Sequence, residues 1–337
     1  MNFIHISHND LDGYGCQYIT SFLFDNIEYY NIDYKDINDV IENLKNVHTD
    51  TNIIITDLSF NKQQFKLLLE KFYKNKVLFI DHHKSTRKAF EEFLYENNFQ
   101  LPANWNIIIN TKYSATKRTY YYYILQNQKL KEEYFKINLI DIYDLWKTEE
   151  ELFNKSIFYS NLIFMNFPLF ETEKRKLNFF LIKKIGKLLE KNNVRNIEKD
   201  LNNIIYQFLK QEFQTEIEHL RKEIKDIDNL DIKTFTAMLQ FKKILENSEK
   251  ITKEIYLIEN LHPDILQYGT LLLFKQNKKL VLLNLTRKEN FYKISIRSNN
   301  KNAIKIAELL GGGGHNNAAG AIFKGSKEEI IKKLKNY

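Results

Sequence analysis

The chain has 337 residues, of which 43% are hydrophobic and 28% are charged, so its length suits about two globular domains. This composition excludes an intrinsically disordered chain, and the apolar runs are too short to span a bilayer. The net charge of +7 suits a polyanionic partner, although the abundance of Lys, Asn, Ile, Phe and Tyr also fits an AT-rich coding sequence. A single cysteine, Cys16, and the absence of a signal-peptide pattern predict a cytoplasmic protein with no membrane partner.

Short isoleucine-rich runs alternate with amphipathic stretches over the first half of the chain. The runs predict strands over residues 3–7, 28–32, 52–56, 77–80 and 106–109. Helices are predicted between them over residues 15–24, 61–73 and 115–126. This alternation predicts an N-terminal α/β domain, residues 1–165, with a largely parallel sheet and helices on both faces. In such sheets, functional side chains gather at the carboxyl ends of the strands.

The second half of the chain predicts a helical segment followed by a smaller α/β domain. The helical pattern of residues 171–228 predicts a helical connector over residues 166–232. The C-terminal domain, residues 233–337, is expected to have strands over residues 271–274, 280–285, 292–297 and 321–323. A helix is predicted over residues 303–310, and Ser326 with Glu329 forms a capping box for a last helix.

The first group of acidic and histidine residues follows the first predicted strand, in the segment SHNDLDGYG. Alternate residues of an extended segment point to the same side, so His8, Asp10 and Asp12 are expected to face one point. Gly13 and Gly15 are expected to let the chain turn tightly into the next helix.

Two further groups end neighbouring predicted strands. Asp57 ends the run NIIITD, and Asp81, His82 and His83 follow the run VLFI. Carboxylates that converge at one sheet edge must be protonated, paired or bound to metal. Two divalent cations bridged by a carboxylate resolve this, and the mixture of imidazole and carboxylate ligands suits Mn²⁺ better than Mg²⁺. Such a pair of ions generates hydroxide from a shared water and clamps a phosphoryl group.

The segment GGGGHNNAAG, residues 311–320, predicts an anion-binding loop after a helix. Consecutive glycines let backbone N–H groups approach an anion, and His315 could donate a further hydrogen bond. Arg297 and Ser298 end the preceding predicted strand, and the guanidinium of arginine suits phosphate. The alternative is a flexible hinge with a surface histidine.

These four motifs, in this order and in these strand contexts, resemble the DHH phosphoesterase superfamily with its DHHA1 substrate-binding domain. The resemblance implies two Mn²⁺ ions, with Mg²⁺ as a substitute. It implies the metal ligands His8, Asp10, Asp12, Asp57, His82 and Asp141. Asp57 would bridge the ions, His83 would act beside it in catalysis, and Asp81 would orient an imidazole.

The resemblance leaves one ligand open and implies the substrate-binding residues. Asp141 is preferred to Asp144 as the last ligand because it directly follows the apolar pair Leu139-Ile140. The substrate would be bound by Arg297, Ser298, Gly312, Gly313, Gly314 and His315.

The first motif is most similar to that of the nano-RNase B type of oligoribonuclease. This resemblance implies a phosphodiesterase or exonuclease that hydrolyses very short RNA oligonucleotides (nanoRNA) or dinucleotides to mononucleotides. The enzymatic alternatives are phosphodiesterases of cyclic or linear dinucleotides, phosphatases of 3′-phosphoadenosine 5′-phosphate, and RecJ-like processing of longer DNA. A non-catalytic nucleotide-binding regulator is the alternative from another class. The oligomeric state is left open, with a homodimer as one alternative.

Overall fold

The structure, a computed structural model, describes residues 2–44, 47–98, 100–163, 165, 167, 169–223, 230–261, 265–267 and 279–337. The chain divides into two compact units. The first consists of Met1–Asn166 with Arg175–Leu201, and the second of Phe167–Lys174 with Asn202–Tyr337. Each unit contains one β-sheet, so the predicted α/β fold class with a parallel sheet and a second, smaller sheet domain is confirmed.

Five parallel strands form the sheet of the first unit, in the order β2-β1-β3-β4-β5. They are β1 (Phe3–His8), β2 (Ile27–Ile32), β3 (Asn52–Thr56), β4 (Lys76–Asp81) and β5 (Trp105–Ile109). Each matches a predicted strand to within one residue at either end. Because all the strands run the same way, the residues that follow them lie at one edge of the sheet.

Seven helices accompany this sheet in the described part of the chain up to residue 163. They are α1 (Leu11–Thr20), α2 (Ile37–Asn43), α3 (Lys62–Phe72), α4 (Lys84–Glu96), α5 (Ala115–Tyr123), α6 (Tyr134–Asp144) and α7 (Phe153–Ile163). A 3₁₀ turn, Tyr34–Asp36, follows β2.

Neighbouring residues of β4 pack against helices on opposite faces of the sheet. Phe79 packs in one hydrophobic cluster with Phe65 of α3. Its neighbour Ile80 packs in a separate cluster with Tyr120 of α5 and Ile137 of α6. Successive side chains of a strand point to opposite faces, so a strand buried on both faces needs a continuous apolar run, as VLFI provides.

Four helices lie between α7 and the second sheet in the described part of the chain. The helices are Glu171–Lys191, Val194–Glu212, Gln214–Glu223 and Ile232–Asn247. Among the described residues, no helix combines the length and the apolar character needed to cross a bilayer.

The sheet of the second unit has six strands in the order β10-β11-β9-β8-β7-β6. They are β6 (Glu249–Lys250), β7 (Ile255–Glu259), β8 (Val281–Arg287), β9 (Tyr292–Ser298), β10 (Gly313–Gly314) and β11 (Ala318–Phe323). β7 and β8 are parallel and all the other pairs are antiparallel. The sequence did not predict β7, and the strand predicted over residues 271–274 lies outside the described residues.

Two helices cover one face of this second sheet, Ala303–Leu309 and Lys327–Lys335. Ile306 and Ile330, one from each helix, pack in a cluster with Ile294 and Ile296 of β9. Ser326 caps the last helix as predicted, because its hydroxyl accepts a hydrogen bond from an N–H group of the first turn. The alternate residues of β9 therefore face away from the helices.

Candidate functional site

The first motif forms a strand end and a helix start. β1 ends at His8, and α1 begins at Leu11 with Asp10 as its N-cap, whose carboxylate accepts a hydrogen bond of 3.0 Å from the N–H of Gly13. The expected extended segment through Asp12 is therefore wrong, since the cap starts the helix four residues earlier than predicted. A side chain at Gly13 is excluded because its Cβ would lie 2.1 Å from the carbonyl oxygen of His8.

Asp12 reaches the sheet edge from the first turn of α1. Its carboxylate is buried and accepts hydrogen bonds from the N–H groups of Ala115 (2.8 Å) and Thr116 (2.9 Å). These residues begin α5, so the partial positive charge of that helix end also stabilises the carboxylate. The direction of Asp12 is therefore set by its place in the first turn of α1 and by its hydrogen bonds to the start of α5, and not by the alternation of side chains along a strand.

Asp57 stands between two histidines directly after β3. Its Oδ2 lies 4.0 Å from Nδ1 of His8, and its Oδ1 lies 3.3 Å from Nε2 of His82. The backbone of Asp57 is left-handed, with a φ of 55°, a conformation that aspartate and asparagine adopt more readily than most residues. The two oxygens of one buried carboxylate therefore face two different sets of ligand atoms.

A second histidine and an aspartate from α6 complete the cluster. His82 follows β4, and its Nε2 lies 3.7 Å from Oδ2 of Asp12 and 3.4 Å from Oδ2 of Asp144. Asp144 is the last residue of α6. On the other side of Asp57, Nδ1 of His8 lies 2.8 Å from Oδ2 of Asp10.

These side chains make three overlapping groups whose potential ligand atoms lie within 4.8 Å of one another. The first group is His8, Asp10 and Asp57; the second is Asp12, His82 and Asp144; the third is Asp57, Asp81, His82 and His83. The groups share Asp57 and His82, as expected for two adjacent cation sites.

The donor atoms of these groups fit divalent cations. Among the described residues, Oδ2 of Asp57, Nε2 of His82 and Oδ2 of Asp144 are buried and have no hydrogen-bond partner. Burial, together with the charges of Asp10 and Asp12, raises the pKa of Asp57 well above its usual range. Burial and the charge of Asp12 also raise the pKa of Asp144 to about 10. Uncompensated carboxylates with imidazole nitrogens among them suit a divalent transition-metal cation.

Asp141, the ligand preferred from the sequence, lies outside these groups. Its Oδ2 accepts hydrogen bonds from the ammonium groups of Lys117 (2.9 Å) and Lys147 (2.7 Å). Its Oδ1 accepts one from the N–H of Ser114, the N-cap of α5. Among the described residues, the structure therefore brings Asp144 and not the preferred Asp141 into the candidate groups: ion pairs with two lysines occupy Asp141, while the oxygen of Asp144 has no hydrogen-bond partner.

His83 and Asp81, two members of the third group, form a hydrogen-bonded pair. Nδ1 of His83 lies 2.8 Å from Oδ1 of the fully buried Asp81, as expected for an aspartate that orients an imidazole. Burial acts to lower the pKa of His83, but the bond to Asp81 outweighs it and the pKa is raised.

Tyr34 is a site residue that the sequence did not single out. Its ring stacks on His8 with centroids 4.4 Å apart, and its hydroxyl lies 3.4 Å from Nε2 of His83. Tyr34 follows β2 and so lies at the same sheet edge as the acidic groups. Its position after a strand was a usable signal, but tyrosines are too common in this chain for it to stand out.

The glycine-rich segment of the second unit first ends a helix. Gly311 has a φ of 78°, and the N–H groups of Gly311 and Gly312 bond to carbonyl oxygens of the preceding helix turn. This is the Schellman arrangement. Gly313 and Gly314 then pair with β11. The N–H groups of Gly311 and Gly312 are therefore already used, contrary to the prediction that consecutive glycine N–H groups are available to an anion.

The predicted substrate-binding residues lie side by side but differ in exposure. Arg297 is in register with Ala318, and the N–H of Ser298 bonds to the carbonyl oxygen of Asn317 in the turn that His315 begins. His315 is exposed. The hydroxyl of Ser298 is buried and bonds within its own loop, to Asn300 and Asn302, so it holds the loop instead of facing solvent.

Arg297 lines a cavity of about 550 Å³ on the face of the second sheet that the helices leave open. The cavity carries three cationic side chains, no acidic side chain among its lining residues, and several amides and hydroxyls. Its lining residues are Asn260, Leu261, Leu266, Gln267, Asn284, Thr286, Lys288, Lys293, Ser295 and Arg297. Such a lining is suited to the phosphate and sugar groups of a nucleotide.

Comparison with known proteins shows what this chain is similar to. Residues 253–337 match the DHHA1 domain. A protein of Helicobacter pylori named 3′,5′-cyclic-nucleotide phosphodiesterase is 22% identical over 354 residues, covering 98% of this chain and 95% of that protein. The crystal structure of an uncharacterized protein from Helicobacter pylori G27 superposes with a TM-score of 0.71 at 21% identity, covering 100% of this chain and 98% of that one. This last likeness shows the fold.

Proposed function

The chain belongs to the DHH/DHHA1 phosphoesterases, which are hydrolases, and from that premise we propose that it is a Mn²⁺-dependent phosphodiesterase of small nucleotides. The observation that carries the proposal is the position of Asp57, whose two carboxylate oxygens face His8 on one side and His82 on the other. A carboxylate in this position suits a bridge between two cations.

We assign the cation ligands from the first two of these groups, and add Asp57 to the second because its Oδ1 lies 3.3 Å from Nε2 of His82. His8, Asp10 and Asp57 would hold one cation, and Asp12, Asp57, His82 and Asp144 the other. When bound, the pair of ions supplies an activated water and neutralises the charge of the phosphate.

The protein groups around the cations would orient the ligand side chains and bind the scissile phosphate. The N–H groups of Ala115 and Thr116 hold the carboxylate of Asp12 in place at the edge of the sheet. Asp81 fixes the ring of His83 so that Nε2 points toward the cluster and Tyr34. That nitrogen would donate a hydrogen bond to an oxygen of the scissile phosphate, because the bond to Asp81 favours the protonated imidazole.

We propose very short oligoribonucleotides as the substrates, with the cavity beside Arg297 as the site that binds a nucleotide. Lys288 and Lys293 add two cations to this cavity, so a phosphate group suits it. A second candidate substrate is a 3′,5′-cyclic nucleotide, which the name of the Helicobacter pylori relative favours. Both substrates carry the same bond, a phosphodiester to a ribose 3′ oxygen, so one chemistry serves both.

Turnover of a substrate panel tests the proposal. Purified protein treated with EDTA and then supplied with Mn²⁺ would be offered a diribonucleotide, a length series of RNA and DNA oligonucleotides, cyclic AMP, a cyclic dinucleotide and 3′-phosphoadenosine 5′-phosphate. The expected result is Mn²⁺-dependent cleavage that is fastest for the shortest RNA. Preference for cyclic AMP would establish the second candidate, and nucleotide binding without hydrolysis of any substrate would overturn the enzymatic proposal.

A further inference from the structure

Four cationic side chains surround the ring of Tyr113, in the loop between β5 and α5. The distances to the ring centroid are 4.9 Å from Cζ of Arg118, 5.2 Å from Nζ of Lys117, 5.3 Å from Nζ of Lys112 and 5.9 Å from Nζ of Lys147. The aromatic face attracts each cation, but cations gathered around one ring repel one another.

One carboxylate balances only part of this charge. Asp141 is fully buried and pairs with Lys117 and Lys147. Among the described residues, no carboxylate lies within ion-pair distance of Lys112 or Arg118. Nε of Arg118 is also buried without a hydrogen-bond partner in the described part of the chain. An anion held at this cluster would supply the missing negative charge and accept a hydrogen bond from the Nε–H group of Arg118.

The start of α5 links the cationic side chains around Tyr113 to the candidate metal ligands through hydrogen bonds. Ser114, which follows Tyr113, donates its N–H to Asp141, and the next two N–H groups hold the carboxylate of Asp12. Asp141 also lies one helical turn before Asp144 on α6. The same short segment therefore positions a cation ligand and the group of positive charges.

We propose that Lys112, Arg118 and Lys147 form a phosphate site in the first unit, separate from the cavity beside Arg297. This inference rests on the proposed function and narrows its substrate class: the site binds a phosphate of the substrate other than the one that is cleaved. Substrates with two phosphates, such as the 5′-phosphorylated dinucleotide pApA, are then favoured over ApA and cyclic AMP, which have only the scissile phosphate.

The test compares hydrolysis of pApA and ApA by three proteins. They are the wild type, the double variant Lys112→Gln with Arg118→Gln, and the matched control Lys129→Gln, which alters another exposed lysine. Wild type and control should prefer pApA, as judged by kcat/KM. The ratio of the two kcat/KM values should fall about tenfold in the double variant, as expected when charge-assisted hydrogen bonds to one phosphate are lost. An unchanged ratio would overturn the site.

Binding of 5′-AMP to the EDTA-treated proteins, measured by calorimetry, separates this inference from the proposed function. If no protein hydrolyses either dinucleotide with Mn²⁺ but the double variant binds 5′-AMP more weakly, the phosphate site stands and the proposed function fails. If hydrolysis is normal and both the ratio and the binding are unchanged, the function stands and the phosphate site fails.

Discussion

Replacing Asp57 with asparagine tests the bridging carboxylate with little disturbance of the backbone. Asparagine tolerates the left-handed conformation of residue 57, whereas alanine would add strain of about 1–2 kcal/mol there. The amide keeps the size of the side chain but removes its charge. A loss of Mn²⁺ binding in Asp57→Asn can therefore be attributed to the carboxylate.

The substitution should affect the metal-free and the metal-loaded protein in opposite directions. Burial and the charges of Asp10 and Asp12 raise the pKa of Asp57 in the folded state. The contribution of such a group to stability is complete below the ordinary carboxyl pKa and is lost as the pH rises toward the folded pKa. Asp57→Asn should therefore raise the melting temperature in EDTA at pH 7, and weaken the decline in stability above pH 4.

With Mn²⁺ the expected change has the other sign. An ion present at one hundred times its Kd stabilises a folded protein by about 2.7 kcal/mol. Asp57 is assigned to both proposed cation sites, so its replacement removes a ligand from each of them. If the affinity falls about a hundredfold, the same Mn²⁺ concentration contributes only about 0.4 kcal/mol.

Thermal unfolding in EDTA and in Mn²⁺, from pH 4 to pH 8, measures both effects. Asp50→Asn is the matched control, because Asp50 is exposed and lies away from the ligand groups. The control should respond to Mn²⁺ as the wild type does. Equal stabilisation of Asp57→Asn and wild type by Mn²⁺, or retained hydrolysis of a diribonucleotide, would refute the bridging role.

Four other substitutions separate the remaining roles. Asp144→Asn should abolish Mn²⁺-dependent hydrolysis. It should also stabilise the metal-free protein at pH 7 by on the order of 4 kcal/mol, because the pKa of Asp144 in the folded protein is about 10. Urea unfolding in EDTA measures this stabilisation, and an unchanged midpoint would contradict it. Asp141→Asn should instead destabilise the protein by about 3–5 kcal/mol in the same assay, since two ammonium groups lose their buried partner; full stability would argue against a structural role. Tyr34→Phe removes the hydroxyl beside His83, so kcat should fall several-fold while the Mn²⁺ affinity, measured by titration, stays constant. A kcat equal to that of the wild type would show that the contact between Tyr34 and His83 has no role in catalysis. Arg297→Gln should raise KM with little change in kcat, and a fall in kcat at constant KM would be inconsistent with a binding role.

The sequence predicted the first sheet well because its strands carry a strong local signal. Runs such as NIIIT and VLFI are buried on both faces, and a polar residue ends each of them. The approximate location of the acidic and histidine cluster followed from the rule that parallel strands end at one edge. Neither prediction needed any knowledge of how distant side chains pack.

The errors came from side chains whose direction depends on a helix. Asp12 was placed by strand alternation, but Asp10 caps α1 and turns Asp12 toward the start of α5. Asp141 was preferred because it follows an apolar pair, yet on a helix it lies one turn before Asp144 and meets Lys117 instead. If LIDIYD is read as a helix, both aspartates are candidates, and only the folded positions of Lys117 and Lys147 distinguish them.

The close packing of Gly13 against the carbonyl of His8 has a consequence for how the proposed ligand set of this chain can change. Residues 8–13 form one tight turn from β1 into α1, so three of the proposed ligands come from a segment in which a side chain at residue 13 would clash with the backbone of His8. Ligands from separate segments, such as Asp144, are free of that constraint. Changes of metal preference during evolution, or in a laboratory selection, should therefore accumulate at the positions contributed by other segments, while residues 8–13 could be transplanted between scaffolds as a unit.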